Sequence, residues 1–192
     1  MPYHHGDLRT ALIEAGRDHL RTEPRDTLSL RTLAQHLGVS HGAPRRHFAT
    51  REELLVAVAA ECLSELVEAQ RTAVDPQDPP HRRLIAVGMA YVTWAEQHPH
   101  AFALAFDPAI NSSGNAPAAL AEVVAVHAEW FTGLVAATIE EGVLSPGIPA
   151  PVHFAHLWGV VQGLAVLRQD ARLPRELVLA ALHAALGLPE PA

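Results

Sequence analysis

The sequence predicts an all-α protein with about nine helices. Apolar residues recur at the spacing of one helix face over most of the chain. No segment alternates strictly between apolar and polar residues, as a half-buried strand does. Apolar residues make up 49% of the 192 residues and charged residues 18%, a composition that excludes an intrinsically disordered chain. A chain of this length can also bury a core without disulfides or metals.

Capping residues and helix breakers give the predicted boundaries. The first helix begins at Asp7, a good N-cap residue, and is stopped by Pro24. The proline-containing segments 75–80, 108–117 and 143–151 are typical of linkers and loops. The remaining helices are expected, in chain order, at about 30–37, 41–47, 51–72, 81–98, 102–106, 118–141, 152–169 and 174–187.

The segment from Leu30 to Phe48 is the most informative part of the chain. Two short helices, capped by Ser29 and Ser40, are joined at Gly38, where a left-handed turn favours glycine. This is the layout of a helix-turn-helix, whose second helix enters the major groove of DNA while the first braces it. The alternative is a helical corner in an all-α protein that does not bind DNA.

Positively charged and polar side chains surround the second of these helices. Its N-terminal amides can bind a phosphate, and its arginines can contact phosphates or base edges. Arg51 begins the next helix, where a cation opposes the helix dipole, so we expect an external anion beside it. We expect His41 and Arg46 to lie nearest the bases. The predicted DNA-facing residues are Ser29, Arg31, Ser40, His41, Gly42, Arg45, Arg46, His47 and Arg51.

Charge is distributed unevenly along the chain. Residues 1–50 hold seven Arg and five acidic residues, a net charge of +2, whereas residues 51–192 hold seven Arg and sixteen acidic residues, a net charge of −9. The sum is the −7 of the whole chain, and none of the basic residues is Lys. An anionic partner is therefore expected to meet the N-terminal head.

These residues resemble the DNA-binding head of the TetR family of bacterial transcription regulators. The resemblance is carried by residues 28–48, which read LSLRTLAQHLGVSHGAPRRHF, and by REELL at residues 51–55. Residues 5–9, HGDLR, are similar to the first helix of that family. Several spaced features agree at once, which makes the resemblance more specific than a single short motif.

The C-terminal region resembles the family more loosely. Segments 98–102 and 158–164 are similar to a subgroup with a Trp and His-Gly signature in its ligand domain. Gln162 stands where that subgroup usually has His. Arg45 stands where family members usually have a Tyr that contacts a phosphate, a task that arginine can perform with more charge.

The resemblance implies a homodimer that binds a pseudo-palindromic operator in double-stranded DNA. A single cysteine fits a reducing cytosol, so we expect a cytoplasmic location. Residues 1–50 would form the helix-turn-helix domain, a helix at about 51–72 would connect, and residues 73–192 would bind ligand and dimerise. A small, largely apolar effector would spread the heads and release DNA, as in a repressor. The alternatives are an activator, a nucleoid-type binder without an effector, and a carrier or enzyme on a TetR-like fold without specific DNA binding.

Most aromatic residues lie in the middle of the chain, eight of the ten between residues 91 and 158. Each taken singly is typical of a core residue. As a set they are also typical of a ligand pocket, which is mostly apolar with a few polar groups that fix orientation. The candidate pocket residues are Trp94, Phe102, Phe106, His127, Trp130, Phe131, Phe154, Trp158 and Gln162.

Three small residues, Ala155, Gly159 and Gly163, recur at four-residue spacing on the helix predicted at 152–169. Small residues at this spacing let a second helix approach closely. Because this helix has almost no charged face for water, the pattern favours a dimer interface. Close packing within one subunit is the alternative.

No motif of an enzyme, a cofactor site or a metal site is present. We therefore predict no catalytic residue and no cofactor; Cys62 is typical of a core residue, and His153 and His156 lack a third ligand nearby in sequence. The N-terminus lacks the features of a signal peptide. The longest uncharged apolar stretch, 151–167, is shorter than the ~20 residues of a membrane span, so we predict no membrane partner.

Overall fold

The computed structural model describes residues 8–110 and 118–189, and this part of the chain contains eight α-helices and no strand. The all-α prediction is confirmed. The proposed cap at Asp7 and part of the predicted loop 108–117 lie outside the described residues. The helices are α1 (Leu8–His19), α2 (Leu30–His36), α3 (Arg51–Thr72), α4 (Pro80–Gln97), α5 (Pro99–Ala105), α6 (Ala118–Glu140), α7 (Ala150–Gln169) and α8 (Glu176–Ala185).

The helix predicted at 41–47 is the main difference from the sequence prediction. A single 3-10 turn, Pro44–Arg46, takes its place. Pro44 has no N–H and therefore cannot make the hydrogen bond to the Ser40 carbonyl that would begin an α-helix. Shorter-range bonds form instead: Ala43 N–H donates to the Ser40 carbonyl at 3.0 Å, and His47 N–H donates to the Pro44 carbonyl at 3.0 Å.

The described residues form two compact units. The first contains residues 8–65 and 98–124, apart from the gap at 111–117. Its core includes the fully buried side chains of Leu12, Leu28 and Val58. Cys62 is buried as predicted, and burial raises the pKa of its thiol to about 12, so the thiol stays protonated.

The second unit contains residues 66–97 and 125–189, in which α4 packs against α7 and α8. Gly88 allows α8 to approach α4 closely, because a Cβ at this position would lie 2.8 Å from Leu182 Cδ2. Polar contacts join the C-terminal ends of α4 and α7. Arg168 forms an ion pair with Glu96, and the Gln169 side-chain amide donates to the Ala95 carbonyl at 2.8 Å.

Two long helices of the structure are unusually apolar. Length and composition alone would let the Leu120–Glu140 part of α6 and the Ala150–Gln169 helix cross a membrane, a test that core and interface helices of other proteins also pass. Most of their residues are not buried within the chain. The large exposed apolar side chains of the second unit are Val126, Ile148, Val152, Trp158, Val166, Leu167 and Leu177.

Gly16 is required by the packing of α1 on α3. A Cβ at Gly16 would lie 2.6 Å from Val58 Cγ2, and the β-branched valine has little rotamer freedom with which to move away. We expect Gly16→Ala to lower the free energy of unfolding by about 1–3 kcal/mol, measured by urea denaturation. Gly133→Ala is the control: nothing lies within 4 Å of that position in α6, and the helix should gain about 0.5–1 kcal/mol. Equal unfolding midpoints for Gly16→Ala and the unaltered chain would contradict the prediction.

Candidate nucleic-acid interface

Helix α2 begins with a complete capping box. Thr32 N–H donates to Ser29 Oγ at 3.1 Å, and Ser29 N–H donates to Thr32 Oγ1 at 3.0 Å. Two backbone donors of the first turn are therefore satisfied within the helix. The Ser29 hydroxyl holds α2 in place, and the neighbouring Arg31 is exposed.

The end of α2 fixes the direction in which the chain leaves the helix. Gly38 adopts a left-handed conformation with φ of +66°, which strains any other residue. Gly38 N–H donates to the Gln35 carbonyl at 3.2 Å, and Val39 N–H donates to the Ala34 carbonyl at 3.0 Å. This pair of bonds is a Schellman motif. The predicted glycine turn is thus present.

The segment that follows, residues 40–47, is here called the recognition turn. Pro44 within it and Phe48 behind it are buried and anchor it to the first unit. The polar side chains between these anchors reach solvent, and neither Arg45 nor Arg46 forms an ion pair within residues 8–110 and 118–189. The exposed residues of the recognition turn are Ser40, His41, Gly42, Arg45, Arg46 and His47.

Arg9 adds a cation beside the recognition turn that sequence reasoning did not include. Its guanidinium carbon lies 5.2 Å from the centroid of the Phe48 ring, and the side chain is exposed. The contact joins α1 to the end of the recognition turn through a cation–π interaction. Because 39 positions separate the two residues in the chain, periodicity within one helix gives no signal for it.

Arg51 has a different environment from the one expected. Its Nε donates to the Leu28 carbonyl at 2.8 Å, and its Nη2 donates to the Arg25 carbonyl at 2.5 Å. Two carbonyl dipoles, rather than an external anion, therefore compensate the charge at the start of α3. The predicted DNA-facing residue is partly buried and braces the 3-10 turn Arg25–Thr27 and the entry to α2.

A second group of contacts supports the start of α3. Thr50 is its N-cap, since Glu53 N–H donates to Thr50 Oγ1 at 3.1 Å. The Glu53 carboxylate in turn accepts from Ala49 N–H at 2.8 Å. Within the same unit, Arg25 forms an ion pair with Asp107, which follows α5. The start of α3, which follows the recognition turn, is thus fixed by its own side-chain contacts.

Four of the predicted pocket residues form one group in the second unit, here called the aromatic cluster: His127, Trp130, Phe131 and Phe154. The His127 ring centroid lies 5.7 Å from that of Trp130 and 6.1 Å from that of Phe131. Phe131 and Phe154 meet edge to face, with centroids 5.3 Å apart. All four side chains are half-buried.

The other predicted pocket residues have different partners. Tyr91, which sequence reasoning left out, donates a hydrogen bond to the Gln162 side-chain oxygen and accepts one from the Trp158 indole N–H. Burial raises the pKa of Tyr91, so the phenol remains a neutral donor. Trp94 is buried in α4. The remaining two, Phe102 and Phe106, belong to the first unit and lie in contact, with ring centroids 4.8 Å apart and ring planes tilted by 46°.

The small residues predicted for a dimer interface lie on the exposed side of α7. Ala155, Gly159 and Gly163 are all exposed, and nothing lies within 4 Å of a Cβ built at either glycine. Packing against the described residues of the same chain therefore does not account for these two glycines. His153 is buried, with its Nε2 3.0 Å from the Ser145 carbonyl oxygen, while His156 is exposed; the described residues contain no group of three or more side chains suited to a metal.

We expect Arg51→Ala to destabilise the head. The change removes two hydrogen bonds from a charged donor and leaves the Leu28 and Arg25 carbonyls without these partners, which should cost about 1–3 kcal/mol. Urea denaturation, together with faster amide exchange in α2, would measure the loss. Arg31→Ala is the matched control and should change stability by less than about 0.5 kcal/mol, because Arg31 is exposed. If both variants unfold alike, Arg51 does not brace the head.

Comparison with known proteins agrees with this geometry. The family model described as "Tetracyclin repressor-like, C-terminal domain" matches residues 84–186, more than half of the chain. A curated relative, an HTH-type transcriptional regulator of Mycobacterium tuberculosis, is 28% identical over 137 residues. That match covers 70% of this chain and 58% of the relative, so it spans less than two thirds of the relative's length.

Solved structures share the architecture over nearly the whole chain. A protein of unknown function from a Rhodococcus species has 29% identity and a TM-score of 0.81, with 97% of this chain and 95% of that one covered. The TetR family transcriptional regulator PfmR of Thermus thermophilus has 22% identity and a TM-score of 0.66, with 94% and 99% covered, which shows a common fold. With the C-terminal family model matching over half of its length, the chain belongs to the TetR family of transcriptional regulators.

Proposed function

We propose that the chain is a homodimeric, ligand-responsive repressor that binds a pseudo-palindromic operator through its N-terminal head. The observation that carries the proposal is the recognition turn. It follows a capped helix and a glycine turn, and it presents two arginines that no carboxylate neutralises within the described residues. In this proposal residues 1–50 form the DNA-binding domain, α3 connects, and residues 73–192 bind the effector and dimerise.

Arg45 and Arg46 would share the contacts to DNA. A 3-10 turn has three residues per turn, so neighbouring side chains leave it about 120° apart. One arginine can therefore reach a base edge, as in bidentate binding to guanine, while the other contacts a phosphate. His41 would sit at the start of the turn near the bases. Because the turn is short, we expect phosphate contacts to supply most of the affinity.

The exposed side of α7 supports the homodimer. Trp158 is 49% exposed and Val152 is 54% exposed, and the stripe of Ala155, Gly159 and Gly163 lies on the same helix. Apolar surface of this kind marks an interaction site, and a two-fold dimer would cover it with the same surface of a second copy. Two heads related by a two-fold axis match a pseudo-palindromic operator. We propose a cytoplasmic location and no membrane partner.

The aromatic cluster is the proposed effector site. An apolar molecule bound there would favour one conformation of the dimer over another and so change the spacing of the two heads. We propose that this change releases DNA. No catalytic residue, cofactor or metal is part of the proposal.

Selection of bound fragments from sheared genomic DNA, with affinities compared at about 50 and 200 mM salt, tests the proposal. An enriched pseudo-palindrome is expected. Weak binding to all fragments that fades steeply with salt would indicate a non-specific binder. Absence of binding at both salt concentrations would contradict the repressor and favour a carrier or enzyme on the same fold. Activation rather than repression of a reporter would identify an activator.

Arg46→Ala should weaken operator binding by about 1–3 kcal/mol and relax specificity at one base pair if the side chain reads a base. If Arg46 contacts only a phosphate, affinity should fall evenly across DNA sequences. The slope of log affinity against log salt concentration should then become shallower by about one. Fluorescence anisotropy with the selected operator would measure both effects. Arg175→Ala, which alters an exposed arginine of the second unit, is the control. Unchanged binding by Arg46→Ala would exclude both roles.

Gly163→Arg should convert the dimer to a monomer, because it places a long charged side chain in an apolar interface where no partner is expected. Sedimentation analysis would measure the mass, and circular dichroism would show that the helices remain. Ala73→Arg adds the same charge at an exposed position after α3 and should leave the dimer intact. A dimer that survives Gly163→Arg would show that α7 does not form the interface.

A further inference from the structure

The aromatic cluster offers a half-buried apolar surface made of four neighbouring rings. Phe131 and Phe154 meet at right angles, and Trp130 and His127 extend the surface along α6. All four residues are half-buried, so part of each side chain remains open to a ligand. A flat ring laid on such a surface would gain stacking and edge contacts as well as burial of apolar area.

Arg71 brings a positive charge to this surface. Its guanidinium carbon lies 5.5 Å from the centroid of the Trp130 ring, and no carboxylate forms an ion pair with it within the described ranges. A guanidinium offers several N–H donors in one plane, a geometry that matches the two oxygens of a carboxylate. The site therefore combines apolar surface with an unneutralised cation.

His127 adds a hydrogen-bonding group to the cluster. Its Nδ1 is buried and has no hydrogen-bond partner. Burial and the nearby charge of Arg71 both lower the pKa of His127, so the imidazole is neutral at pH 7. A neutral imidazole can donate or accept one hydrogen bond at each nitrogen, and a buried polar atom without a partner is costly. A small rotation of the ring would offer this nitrogen to a ligand oxygen.

We propose that the effector of this protein is a flat, apolar molecule that carries one carboxylate. Its ring would lie on Trp130, Phe131 and Phe154, and its carboxylate would bind the Arg71 guanidinium and the His127 imidazole. An amine of the same shape would meet the Arg71 charge and be rejected. The role as effector rests on the proposed repressor function, whereas binding of the acid to the purified chain does not.

Equilibrium dialysis of the full chain without DNA tests the proposal with three probes that share one ring system and differ in charge: β-naphthoate, β-naphthamide and β-naphthylmethylammonium. We expect the carboxylate to bind at least about tenfold more tightly than the amide, and the cation not to bind. Arg71→Gln should abolish this preference and leave the affinity for the amide unchanged. Arg71 is exposed, so this variant should fold normally.

Two further variants test which side chains bind the probes. His127→Phe keeps the aromatic surface but removes the nitrogen, and it should weaken binding of both the carboxylate and the amide. Arg172→Gln makes the same charge change at an exposed arginine paired with Asp170, and it should bind all probes as the unaltered chain does. Thermal unfolding of each variant would show that the fold is retained.

Equal affinity for the three probes, no binding of β-naphthoate, or a carboxylate preference that survives Arg71→Gln would each overturn the proposal. Operator binding measured with and without β-naphthoate separates the two hypotheses. Selective binding of the acid by a chain that does not bind DNA would support the acid site and contradict the repressor. Operator binding by a chain that does not bind the acid would contradict the acid site alone.

Discussion

Two hydrogen bonds from the Arg51 guanidinium hold the parts of the N-terminal head together. They join the start of α3 to the carbonyls of Leu28 and Arg25, at the entry to α2. Helix α2 has only seven residues, too few to be stable as an isolated helix, and the recognition turn is shorter still. Neither element can fix its own position through backbone bonds. The longer helix α3 therefore supplies a rigid base, and side-chain bonds transfer that rigidity to the surface proposed to meet DNA.

The second unit is governed by a different constraint, the apolar character of α7. Leu157 and Leu164 are buried on one side of this helix, whereas Trp158 and Val166 remain exposed on another. A helix that is apolar around most of its circumference requires protein on more than one side. Within residues 8–110 and 118–189, α4 and α8 pack against α7, and several of its large apolar side chains remain exposed. The homodimer proposed above would cover the exposed apolar surface of α7 without any change to the packing within the chain.

Local signals in the sequence predicted most of the fold. The cap at Ser29 and the turn at Gly38 depend on neighbouring residues, and the structure contains both. The predicted cap at Ser40 begins no α-helix. Contacts between distant positions could not be predicted in this way. The Arg51 hydrogen bonds join residues that are 23 and 26 positions apart in the chain. Helical periodicity gives no signal for such contacts, so the sequence suggested an external anion where the structure has two backbone carbonyls. The predicted helix at 41–47 is absent for a local reason, because Pro44 removes a donor and that effect outweighed the helical pattern around it.

The burial of Cys62 has a practical consequence for the study of motion in this protein. The chain contains a single cysteine, and burial keeps its thiol protonated and shielded from reagents that attack thiolates. A cysteine introduced at an exposed position would therefore react alone, without first removing the native one. Pairs of spin labels or fluorophores attached in this way to the two heads of a dimer would report their separation directly, with the native core left intact.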